Sequence, residues 1–125
     1  MTVPILKQGH ILIASIQVAL TDHDLIELKD ELTTRVGRFR SRGVIIDVSA
    51  LDVMDSFAAR TLRNVAEATR LRGARMVIVG IQPDVAFSMV RLGLSLHDIS
   101  TALDLEGGLE MLAAFGLGAG GADGG

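Results

Sequence analysis

Val44-Ile45-Ile46-Asp47-Val48-Ser49-Ala50-Leu51-Asp52-Val53-Met54-Asp55-Ser56-Phe57-Ala58 is the stretch that decides the fold. It opens as a continuous apolar run of about five residues, the pattern of a strand covered on both faces. An acidic turn follows, and then a serine where apolar residues begin to recur at helical spacing. A second run of the same kind, Met76 to Gly80, comes after that helix. Two buried strands joined through a helix call for a crossover and parallel pairing, which places the chain in the α/β class.

Working outward, Pro4 to Lys7 reads as a short edge piece and Ile11 to Ile16 as a strand, with Gln8-Gly9 turning the chain between them. Leu25, Leu28, Leu32, Val36 and Phe39 share one helical face that the core is expected to take up. Thr21 with Asp24 resembles a capping box at its start, and Gly43 marks the end. Ala58, Leu62, Val65, Ala66 and Thr69 repeat the rhythm up to Gly73. A third helix is expected from Pro83 to about Leu92, stopped by Gly93, and a fourth carries Leu105, Leu109, Leu112 and Phe115. Gly107-Gly108 weakens this last one by about 1 kcal/mol per glycine relative to alanine. From Gly116 the sequence GLGAGGADGG has nothing to bury. One domain over 1–115 and a disordered glycine-rich tail over 116–125 are therefore expected.

Composition narrows the function. Apolar residues make up 49% of 125, enough for a core, but aromatics only 3%, so Leu, Ile, Val, Ala and Met must fill it. With no cysteine there is no disulfide framework, thiolate metal site or cysteine nucleophile. A net charge of −3 gives no long-range field for collecting nucleic acid or anionic lipid, and no apolar run reaches the roughly 20 residues of a membrane span. A cytoplasmic protein is expected.

Ser56 supports two readings. Its hydroxyl suits an ordinary N-cap, worth about 1 kcal/mol. It also suits a phosphorylation switch, because Asp52 and Asp55 crowd the same turn and a phosphoryl group brings roughly −1.5 to −2 charges. Asp47, Asp52 and Asp55 lack the alternation of a calcium loop, so turn-forming roles are expected and no metal. A phospho-accepting aspartate would need a lysine after a later strand, where Gly80-Ile81-Gln82-Pro83 stands instead. Arg60, one turn beyond Ser56, suits recognition of the serine by a partner, and Arg63–Glu67 and Glu67–Arg70 have ion-pair spacing. Arg35, Arg38, Arg40 and Arg42 gather late in the first helix, where the helix dipole favours cations. Nucleic-acid binding is not expected there, as Phe39, the one aromatic nearby, is assigned to the core. His10, His23 and His97 are isolated, and neither a GxSxG elbow nor a phosphate-cradling glycine loop occurs. No active site and no cofactor are expected.

The chain resembles a STAS domain, the fold of anti-sigma-factor antagonists, and within it the RsbS-like branch of stressosome scaffolds. The resemblance rests on Pro4-Ile5-Leu6-Lys7 with Ser15-Ile16-Gln17, on Ile46-Asp47 through Asp55-Ser56-Phe57-Ala58, and on Gly80-Ile81-Gln82-Pro83 with Val85-Ala86. It continues in Leu92-Gly93, in Thr101-Ala102-Leu103-Asp104-Leu105-Glu106 and in Gly108-Leu109-Glu110, covering roughly Val3 to Leu112. It implies a mixed, mostly parallel sheet of about five strands flanked by four helices. It also implies a non-enzymatic scaffold that co-assembles with RsbR-type paralogues, holds an RsbT-type serine kinase, and frees it when Ser56 is phosphorylated. An RsbX-type phosphatase would reset the system, and the chain alone would be a homodimer. The partner surface is expected over Asp52, Asp55, Ser56, Phe57 and Arg60. The alternative is a free anti-anti-sigma factor. Such relatives usually carry Asp-Ser-Ser-Gly or Asp-Ser-Ala-Gly where this chain has Asp55-Ser56-Phe57-Ala58, which favours the stressosome branch. A small-ligand module, with its pocket beyond the strand ends, rests on fold analogy alone.

Overall fold

The computed structural model describes residues 3–91 and 99–116. In chain order the elements are β1 (Ile5–Gln8), β2 (Ile11–Ser15), α1 (Asp22–Phe39), β3 (Gly43–Asp47), α2 (Ser56–Leu71), β4 (Arg75–Val79), α3 (Pro83–Arg91), β5 (Ser100–Ala102) and α4 (Leu105–Ala114). The five strands form one sheet in sequence order, β1 antiparallel to β2 and all other neighbours parallel. The hairpin turn is Gly9-His10, one residue later than the sequence suggests, because Gln8 pairs with Ile11 and Gly9 supplies the positive φ of 61°.

Alternation along the strands builds two apolar layers. Leu12, Ala14, Val44, Ile46, Met76 and Ile78 face α1, α2 and α3, meeting Leu28, Leu32, Val36, Leu62, Val65 and Val85. Ile11, Ile13, Ile45, Val77 and Val79 face the other way and are closed by Leu112 of α4. Covering on both sides is why β3 and β4 read as unbroken apolar runs. The capping box at α1 is present, Thr21 Oγ1 accepting the Asp24 amide at 3.1 Å and Asp24 Oδ2 the Thr21 amide at 3.2 Å.

Four expectations are corrected. Phe39 does not join the core and is 38% exposed. It is the last residue of α1, and Arg40, in the left-handed region at φ 50°, turns the chain away before a layer can cover the ring. Gly43 is not the helix stop but the first residue of β3, where a side chain would come within 2.8 Å of Leu112 Cδ1. Gly108 is more than a weak point in α4. A Cβ there would lie 2.7 Å from Val79 Cγ1, so the bare backbone is what lets the helix reach the sheet. Glu67 pairs with Arg70 at 2.7 Å, and among the described residues no pair joins it to Arg63. Leu92, Gly93, His97 and the tail from residue 117 lie outside the described residues. Among the described residues no helix is long and apolar enough to cross a membrane.

Since β2 to β5 run one way and the helices return, the strand ends and helix starts gather at one pole of the molecule. The strand starts and helix ends gather at the other. Ser56 belongs to the first.

Candidate functional site

The site is the segment between the end of β3 and the first turn of α2. The Val48 amide extends the ladder to the Val79 carbonyl at 3.0 Å, and the Leu51 amide closes a turn on the Val48 carbonyl at 2.9 Å. Asp47 Oδ1 accepts from the Ser49 amide at 2.9 Å and from Ser49 Oγ at 2.7 Å, so its carboxylate is engaged in holding the loop. Gln82 Nε2 donates to the Ser49 carbonyl at 2.7 Å and ties the β4–α3 connection to the same loop. Gly80 lets the two connections approach. Its φ is +80°, and a Cβ on it would sit 2.7 Å from that of Ser49. Leu51 and Met54 anchor the loop in the core, leaving Asp52 and Val53 exposed.

The helix cap is Asp55 and not Ser56. Asp55 has extended backbone (φ −83°, ψ 176°), and its Oδ1 accepts the Ala58 amide at 2.8 Å while its carbonyl accepts the Ala59 amide at 3.1 Å. This corrects the cap reading of Ser56. Both residue types make good caps, and the one with extended backbone takes the role. Ser56 is thereby the first helical residue, half-buried, and its hydroxyl has no hydrogen-bond partner among the described residues. It stands at the positive end of the helix dipole. Its hydroxyl is thus spared the capping role, which Asp55 fills.

Phe57 and Arg60 are brought together. They line an open groove of about 580 Å³ that also includes Ile26 and Lys29 of α1 and Arg63 and Asn64 of α2. Arg60 stands one turn after Ser56 on the same side of the helix and has no carboxylate partner among the described residues. Asp52 is exposed on the loop three residues before the cap. No three His, Asp or Glu side chains converge as a metal site among the described residues. Gln82 and Gly80 hold the loop before α2 in ways that residue-by-residue reasoning missed, although Gly80-Ile81-Gln82-Pro83 stood out as a motif.

Comparison with known proteins now adds relatives. The STAS domain family matches residues 2–106. A serine-to-glutamate variant of RsbS from Moorella thermoacetica is similar in structure at a TM-score of 0.80 and 35% identity, over 90% of this chain and 96% of that one. A chain of the stressosome, described as a signal integration and transduction hub, matches at a TM-score of 0.76 and 37% identity, over 90% and 97%. In sequence, the RsbT co-antagonist protein RsbRA of Bacillus subtilis is 32% identical over 83 residues, 66% of this chain. The match spans 30% of the length of RsbRA.

Proposed function

The chain belongs to the STAS domain family and is RsbS-like within it, and on that premise we propose that it is a stressosome scaffold holding an RsbT-type serine kinase until Ser56 is phosphorylated. The observation that carries this reading is the uncommitted Ser56 hydroxyl. Asp55 caps α2, so Ser56 can be modified without removing a helix cap.

A phosphoryl group at Ser56 adds roughly −1.5 to −2 charges and three acceptor oxygens. The helix start favours it, while the neighbouring carboxylates of Asp52 and Asp55 oppose it. Surface charge therefore changes with little reason for the fold to open, and a partner packed on Asp52, Asp55, Ser56, Phe57 and Arg60 is ejected. RsbR-type paralogues complete the assembly and an RsbX-type phosphatase returns it to the holding state. In this reading the chain works in the cytoplasm, as a homodimer when alone.

The test is intact-mass analysis and site mapping after incubation with the cognate RsbT-type kinase, ATP and an RsbR-type paralogue. A single phosphate on Ser56, with the kinase leaving the complex, is the expected result. No phosphate anywhere with the assembly intact would leave a scaffold without a switch.

A further inference from the structure

The groove between α1 and α2 runs against the charge of the chain. The protein as a whole carries −3, yet Lys29 of α1 and Arg60, Arg63 and Arg70 of α2 all line the groove, against the single carboxylate of Glu67. That carboxylate is already engaged, its Oε2 lying 2.7 Å from Arg70 Nη2. Lys29, Arg60 and Arg63 have no carboxylate in ion-pair reach among the described residues. Steps of three, four and three residues set Arg60, Arg63, Glu67 and Arg70 along one side of α2. The helix dipole accounts for Arg70, in the last turn, but Arg60 in the second turn gains nothing from it.

The groove is also apolar in part. Ile26 of α1 lines it while 45% exposed, and Phe57 lines it half-buried at the end next to Ser56. From Phe57 to Arg70 α2 runs about 20 Å, the reach of about six extended residues. A socket for a small molecule encloses most of its ligand and converges a few fixed polar groups on it. This groove is open and its arginines are exposed, so a length of chain suits it better. Apolar contacts bordered by unpaired cations call for carboxylates around an apolar anchor.

We infer that the groove takes an acidic segment of the RsbT-type kinase, extended along α2. One apolar side chain of that segment sits against Ile26 and Phe57, and its carboxylates meet Lys29, Arg60 and Arg63. This rests on the reading that the chain holds such a kinase, and it carries the contact surface beyond Asp52 to Arg60, onto α1 and the later turns of α2. It also supplies a physical reason for release. Arg60 is one turn from Ser56, so a phosphoryl group there competes for the arginine that the acidic segment uses and adds negative charge at the same end of the groove.

Kinase capture by the full chain without ATP, so that no phosphate is transferred, tests this with two variants that leave Asp52 to Arg60 and the Arg70–Glu67 pair untouched. Lys29→Gln/Arg63→Gln should weaken capture about threefold and Lys29→Glu/Arg63→Glu about tenfold or more, with wild-type capture falling as salt screens the contact. A photo-crosslinking residue in place of Asn64, which lines the groove beside Arg63, should join to a kinase segment of net negative charge. Capture equal to wild type in both variants, with circular dichroism unchanged, overturns the inference and leaves the kinase reading standing. If those variants instead lose a melting shift that ATP gives the wild type, the groove is a small-anion site. A crosslink to a neutral or basic segment overturns the inference as well. Wild type that captures no kinase at all overturns the reading on which the inference rests, and the inference with it.

Discussion

Asp55 Oδ1 accepts the backbone amide of Ala58 at 2.8 Å, and that bond assigns the cap of α2 to the residue before the serine. The two residues therefore differ in what their removal does. Asp55→Ala should cost about 1 kcal/mol of stability, because an amide at the helix start loses its acceptor. Ser56→Ala should change stability by less than about 0.5 kcal/mol, as no bond is lost. Urea unfolding of both variants decides it, and a larger cost at Ser56 would return the cap role to the serine.

How much of this was legible in the sequence differs from element to element. β3 and β4 were, because a strand covered on both faces must be apolar throughout, as Val44 to Ile46 and Met76 to Val79 are. β5 was not. Ser100, Thr101 and Ala102 form a half-exposed edge of three residues with no periodicity to detect, so only the resemblance implied a fifth strand. The cap of α2 was read one residue late, at Ser56, since adjacent Asp and Ser both make good caps and backbone conformation decides between them. Phe39 fitted the core face by spacing, but spacing does not reveal where the sheet below a helix stops. Gly108 looked like a defect because its reason is the distance between two layers far apart in sequence. The site was legible as a place, Asp52 to Arg60, and not as a geometry, since its brace, Gln82, comes from another connection.

That brace leads to a second expectation. Gln82→Ala removes a donor from the Ser49 carbonyl and should cost about 1 kcal/mol, within the range of a single hydrogen bond. Gly80→Ala should cost about 2 kcal/mol or more, because an L side chain at φ +80° is strained and its Cβ meets Ser49. Hydrogen exchange should localise the effect of Gln82→Ala to the loop before α2. Uniform loss of protection across the sheet would mean that the bond supports the fold at large.

The two glycines of α4 should separate cleanly. Gly108→Ala places a methyl 2.7 Å from Val79 Cγ1 and should destabilise by about 1–3 kcal/mol through overpacking, despite the gain in helix propensity. Gly107→Ala faces Asp104 Oδ1 at 3.3 Å, so a propensity gain of about 1 kcal/mol largely offsets the crowding. Thermal unfolding of the pair checks the ordering. If the two were equal, close approach would not be what position 108 requires.

Substitutions at Ser56 bear on the proposed switch itself. Ser56→Ala should retain the RsbT-type kinase and block its modification, since the contact surface keeps its shape and charge. Ser56→Asp should weaken capture only in part, because one carboxylate supplies one charge where phosphate supplies roughly two. Co-sedimentation of the kinase with each variant measures this. Equal release from both would mean that the kinase leaves for a reason unconnected with charge at Ser56.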